Sequence, residues 1–175
     1  MIIGLPKGTL VLVPHTLGWA KLFDEEKDRL QMAIGDYVKD IQHVGSTSIP
    51  GIVAKPIIDI GVAGNSYEEA TICVEPIERL GYEYKGENGI PRRHYFVKGS
   101  PRTHHVHVVE MTSLDWQTLV LFRDYLLVHP EMAQKYGELK LRLAQECRNE
   151  RKAYQQGKAE FIQSVIELAK IRTER

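Results

Sequence analysis

The chain has 175 residues, with 23 lysines and arginines balanced by 23 aspartates and glutamates, and 43% of its residues are hydrophobic. That length accommodates one domain with a full core and is short for two, so a single domain over residues 1–175 is expected. The balanced charge excludes nucleic-acid binding through the field of the whole protein, and no apolar run approaches the roughly 20 residues of a membrane-spanning helix.

Thr9–Val13 is a short β-branched run ending at Pro14, expected as a strand or extended arm. Trp19, Leu22, Phe23, Glu26, Leu30 and Ile34 then recur at helical spacing until Gly35 stops them. Ile41–Val44 reads as a short strand. Ile57–Ala63 is almost continuously apolar, as suits a central strand. Ser66-Tyr67-Glu68-Glu69 has capping-box spacing, and Ala70, Cys73, Ile77 and Leu80 make one helix face before Gly81. Tyr82–Tyr84, Tyr95–Val97 and Val106–Val109 are further strand candidates. From Thr112, an expected cap, the chain reads as helical to its end. Trp116, Leu119, Phe122 and Leu126 form one stripe, Met132, Tyr136, Leu139, Leu143 and Cys147 a second, and Phe161, Val165, Leu168 and Ala169 a third. Pro130 starts a new helix and Gly157 breaks another. Residues 1–111 are therefore expected to form a mixed sheet with helices, and residues 112–175 a helical tail packed on it. Cys73 and Cys147 form no CxxC pair and read as thiols of a reducing compartment. Met1–Leu5 ends at Pro6 and Lys7, far short of a signal-peptide core, so a cytoplasmic location is expected.

Two stretches carry chemistry. His43-Val44-Gly45-Ser46-Thr47-Ser48-Ile49-Pro50-Gly51 breaks a strand into small polar residues whose backbone amides can approach an anion closely. Lys55-Pro56-Ile57-Ile58-Asp59-Ile60 then places a carboxylate inside an apolar run, where an unpaired charge is costly. In His104-His105-Val106-His107, residues 105 and 107 share a strand face and offer imidazoles to a metal, with His104 turned the other way. Lys55 and Arg93 are the expected phosphate contacts. Lys140 and Lys158 can serve as contacts or as ion-pair partners. Trp19, Phe23, Tyr136 and Tyr154 read as core rather than as a platform for bases.

HVGSTSIPG with KPIIDI resembles the signature of the GrpB-like family, which is assigned to the nucleotidyltransferase superfold. The resemblance extends over almost the whole chain, from Trp19 and Phe23 through the histidine run to Tyr154 and Phe161. It implies an α+β fold with a nucleotidyltransferase-like mixed sheet, flanking helices and a C-terminal helical segment. It also implies a nucleotide or other phosphorylated small molecule held at Gly45, Ser46, Thr47 and Ser48. Asp59 matches the first acid of the superfold's acid–apolar–acid strand, but Gly61 stands where the second belongs, and an aspartate there is expected to strengthen binding of divalent ions. His107 or Glu110 is expected to replace the missing catalytic group, with Asp59, His105 and His107 holding a divalent ion such as Mg²⁺ or Mn²⁺. The alternatives are a nucleotide-binding module without catalysis, or a histidine-dependent metal hydrolase.

Overall fold

The computed structural model describes residues 2–148 and 150–173. The described residues form a five-stranded sheet in the order β1-β2-β5-β4-β3, flanked by helices on both faces. In chain order these are α1 (Gly18–Ile34), β1 (Val38–Val44), β2 (Ile58–Gly64), the short helices α2 (Tyr67–Ala70) and α3 (Val74–Arg79), β3 (Tyr82–Tyr84), β4 (His94–Lys98) and β5 (His104–Glu110). Four helices follow: α4 (Leu114–Val128), α5 (Pro130–Glu146), α6 (Arg151–Gly157) and α7 (Ala159–Thr173). The α+β class and the division into a sheet and a helical tail are those expected. Thr9–Val13 is the extended arm rather than a strand, touching the sheet region through an isolated bridge from Val13 to Ala54.

The central pair β2 and β5 is parallel, and each of the two has an antiparallel neighbour on its other side, β1 and β4. Both are covered on two faces, which is why they read as apolar runs without clean alternation. One face carries Ile58, Ile60, Val62, Val106, Val108 and Phe96, packed against Trp19, Phe23, Leu30 and Ile34 of α1 and Ile77 of α3. On the other face Ala63 and Val109 pack under Trp116 of α4. A separate core of Phe122, Leu126, Tyr136, Val165 and Ile166 joins α4, α5 and α7, with Ile49 and Ile52 inserted from the segment after β1. The helical tail thus has its own apolar interior and docks on only part of the sheet. A cavity remains between them.

Helix starts follow capping chemistry more closely than periodicity. Ser66 Oγ accepts from the Glu69 amide as expected. Ser113, not Thr112, caps α4, accepting from the Trp116 amide at 3.1 Å. The expected helix of Ala70–Leu80 is interrupted by a tighter turn at Thr71–Cys73. The second stripe also ends earlier than expected, with α5 closing at Glu146 and α6 opening at Arg151.

Beneath α1 lies a buried charge pair. Lys98 Nζ of β4 donates to Glu26 Oε1 at 2.7 Å, and Arg29 Nη1 donates to Oε2 at 3.1 Å. Although burial works against its ionisation, Lys98 foremost holds the Glu26 carboxyl below its usual range. Without Lys98 the buried carboxylate keeps only Arg29, whose side chain is largely exposed, so Lys98→Met should cost about 3 kcal/mol in urea unfolding. The double variant Glu26→Gln/Lys98→Met should regain much of that loss, and an additive double variant would show the pair to be uncoupled.

Candidate functional site

The parallel register of β2 and β5 sets the floor of the cavity. Asp59 pairs with His105, and Gly61 with His107, so Asp59 and both imidazoles project to the same face. His105 Nδ1 lies 3.0 Å from Asp59 Oδ1 and His107 Nε2 lies 3.4 Å from the same oxygen. His107 Nδ1 in turn lies 3.4 Å from Arg93 Nη1. Burial would raise the Asp59 pKa, but the two imidazole contacts overcome this and hold the carboxyl well below its usual range. Burial lowers the His107 pKa in spite of Asp59. His104 faces the opposite side of the sheet, toward α1, as alternation requires; it is buried there, with Nδ1 2.9 Å from Thr103 Oγ1.

The loop after β1 forms the next part of the wall. Gly45 has φ 71°, and a Cβ placed on it would lie 2.8 Å from Asp59 Oδ2. Glycine is needed here for close approach to the carboxylate as well as for the turn. Ser46 and Thr47 line the same cavity as Asp59. Ser48 instead folds back, its hydroxyl donating to Gly45 O at 2.6 Å and its amide to the same oxygen at 3.2 Å. Tyr136 of α5 faces Ser46 and so brings the tail against this turn. His43 lies on the other sheet face, stacked on Phe23 at 4.7 Å, and is no part of the Asp59 cluster.

The cavity measures about 530 Å³, and its described lining includes Lys55, Arg93, Arg102, Lys140, Arg151 and Lys158, with Asp59 as the one described carboxylate. Lys55 and Lys158 lie 4.8 Å and 4.5 Å from the centre of the Tyr154 ring. Lys140, 1% exposed, donates to Val53 O and lies 4.7 Å from the centre of the Tyr136 ring. Burial, reinforced by the neighbouring Lys158, lowers the Lys55 ammonium to about 8 and Lys140 to about 7. Lys140 and Lys158 are therefore cavity residues, and neither makes a carboxylate ion pair among the described contacts. Arg151 and Gln155 were not singled out from the sequence. Their spacing with Tyr154 and with Lys158, the residue that caps α6, three and four positions apart, is the signal that could have marked a polar helix face.

Two expectations are corrected. Glu110 is not at the cavity; its Oε1 accepts from Arg92 Nη2 at 2.6 Å and from the Tyr67 amide at 3.1 Å. Alternation alone puts residue 110 on the opposite face from 105 and 107. Gly61 does share the face of Asp59, but a Cβ there would lie 3.2 Å from Trp116 Cζ3 and 3.3 Å from Val44 Cγ1. The place of the second acid is filled by packing, not left open for an ion. A pair of magnesium ions, which needs several carboxylate oxygens, does not fit this donor set.

A model described as GrpB protein matches residues 9–168. The chain belongs to the GrpB family. Among relatives of this GrpB chain, the UPF0157 protein YqkA of Bacillus subtilis is 43% identical over 166 residues, which cover 94% of this chain and 48% of YqkA. This chain thus spans about half the length of that relative. The crystal structure of GrpB from Enterococcus faecalis matches with a TM-score of 0.86 and 34% identity, over 94% of this chain and all of that one. Likeness to the Cid1 poly(U) polymerase is remote, at 12% identity and a TM-score of 0.48 over 73% of this chain and 45% of that chain.

Two outcomes follow from this geometry. Gly61→Asp should lose about 3 kcal/mol of stability through contact with Trp116 and burial of a charge, and Mg²⁺ should not restore it in melting curves. Lys140 is easier to protonate in the unfolded chain than in the folded one, so its folding penalty is complete below about pH 7 and vanishes as pH rises toward 10.5. The ligand-free protein should therefore gain stability between these limits, and Lys140→Met should reduce that gain, as read from urea midpoints across pH.

Proposed function

We propose that the cavity binds the phosphate chain of a nucleotide and that this GrpB protein acts on that nucleotide as a nucleotidyltransferase. The observation that carries this reading is the crowding of six cationic side chains around one carboxylate in a concave space. A formal excess of this size is matched by a triphosphate, which brings about four negative charges, better than by a single phosphate. Arg93 and Arg102 can grip phosphate oxygens through paired N–H groups, while Lys55 and Lys158 act as point charges. A concave pocket in a chain of balanced charge suits a small molecule rather than a nucleic-acid duplex.

In the transfer reaction an acceptor hydroxyl or amine loses its proton and bonds to the α-phosphorus. The bond from that phosphorus to the α,β-bridging oxygen breaks, and pyrophosphate leaves. The lysines and arginines stabilise the charge gathering on the leaving group. His107, kept neutral by burial, lies beside Asp59 where such a proton could be accepted. A second reading, binding without transfer, has one observation in its favour: Trp116 closes the place of the second acid.

Calorimetry with ATP, GTP, CTP, UTP and tripolyphosphate tests the binding. At least one nucleotide should bind, and Lys55→Ala and Lys158→Ala should each weaken it about tenfold, as expected for a charge-assisted contact. Because Lys140 and Lys55 lose their protons near pH 7 and 8, affinity should fall from pH 7 to pH 9, with proton uptake on binding at the higher pH. No heat and no thermal shift with any of these ligands at millimolar concentration would sink the proposal. Pyrophosphate release then separates transfer from binding alone.

A further inference from the structure

The floor of the cavity has a second chemical character, set by atoms that grip no phosphate in the reading above. Two nitrogens and one oxygen, from His105, His107 and Asp59, all lie within 4.8 Å of one another. Two donors that each sit about 2.1 Å from a common ion are about 3.0 Å apart at a right angle and about 3.4 Å apart at a tetrahedral angle. Two of the three separations, from Asp59 Oδ1 to His105 Nδ1 and to His107 Nε2, are 3.0 Å and 3.4 Å. The two imidazole nitrogens lie within 4.8 Å of each other, against at most about 4.2 Å for donors on one ion, so the rings draw together slightly when an ion sits between them. We infer that Asp59, His105 and His107 form a site for one transition-metal ion of the Zn²⁺ or Co²⁺ class, and not for the magnesium pair expected of the superfold.

The donor chemistry supports that choice. Imidazole nitrogens suit zinc and its neighbours, whereas Mg²⁺ takes oxygen donors and relies on carboxylate charge. The site offers one carboxylate, and Trp116 and Val44 occupy the place where strand periodicity would put another. The surrounding lysines and arginines repel any dication, so what binds must gain from coordination bonds as well as from charge. The two histidines are rigidly presented, since both lie on a central strand paired on each side. Tyr95 adds an aromatic wall, its ring 5.4 Å from that of His105 and 5.1 Å from that of His107.

Loading the site has one local consequence. When an ion takes Nε2 of His107, the proton of the neutral ring moves to Nδ1, which lies 3.4 Å from Arg93 Nη1. Two donors then face each other, and the guanidinium turns away from the ring. The metal state and the position of Arg93 are coupled in this way.

The test uses untagged protein treated with chelator and then dialysed free of it. Zn²⁺ and Mg²⁺ are titrated by calorimetry, and Co²⁺ by visible absorption. The expected result is one equivalent of Zn²⁺ or Co²⁺, with Mg²⁺ at least a hundredfold weaker. His105→Ala and His107→Ala should each weaken Zn²⁺ binding at least tenfold while circular dichroism shows the fold retained. If either variant fails to fold, the other and the wild-type comparison of Zn²⁺ with Mg²⁺ carry the test. No Zn²⁺ binding, equal binding of Mg²⁺, or Zn²⁺ binding unchanged in a folded histidine variant would overturn the inference. Nucleotide binding by the metal-free protein would leave the phosphate proposal standing in each of those cases, so the two can fail separately.

Discussion

Mutual repulsion among the cations of the cavity is the constraint around which the rest of this structure is arranged. A fold can hold like charges close together only if other contacts offset the repulsion, and here those contacts are mostly not carboxylates. Tyr154 lies under Lys55 and Lys158, Tyr136 under Lys140, and Tyr95 under Arg93 at 4.7 Å. Carbonyl oxygens add to this: Val53 O accepts from Lys140, and Glu87 O and Asn88 O accept from Arg93. Each such cation–π contact contributes about 0.5–2 kcal/mol and, unlike an ion pair, leaves the charge un-neutralised. The cations are thereby positioned without being quenched, and an incoming anion need not displace a carboxylate to reach them.

Topology then decides what lies opposite those charges. The parallel contact between β2 and β5 brings residues 46 positions apart into one hydrogen-bonded row, so that Asp59 meets His105. The antiparallel contact between β1 and β2 sets Val44 opposite Asp59, which brings the next residue, Gly45, over the carboxylate. Change either register by one residue and Asp59 would face the apolar core under α1 instead. The strong hydrophobic patterning of that core, with Ile58, Ile60 and Val106 fully buried, is what fixes the register of the polar site on the other side.

Much of this was legible in the sequence because it depends on local rules. Strand alternation sorted His104 from His105 and His107, the apolar run marked β2, and the break at Gly45-Ser46 marked a wall of the site. The failures have equally local causes. Glu110 attracted a role through its nearness to the histidines in sequence, although its parity on β5 contradicts that role. Gly61 read as a missing ligand because the sequence does not show that Trp116, 55 positions later, would pack there. Arg151 and Lys140 lie on helices whose sequence spacing identifies a polar or buried face but not what that face meets. Only docking of the tail on the sheet brings them to Asp59, and docking is a long-range event without a local signature. The family resemblance reached further than the residue patterns, since it placed nearly the whole chain in one fold.

The order in which the parts of the cavity appear along the chain has a consequence for its assembly. The floor comes from β2 and β5, complete by residue 110, whereas Lys140, Arg151, Tyr154 and Lys158 arrive on the helices that follow. During synthesis from the N-terminus, the sheet can pair and Asp59 can meet its histidines while half of the cationic wall is still unmade. The nascent domain therefore passes through a stage in which Lys55, Arg93 and Arg102 alone accompany Asp59 and its two imidazoles, before the helices that follow double the number of cations. The full set of six cations exists only once residue 158 has been made.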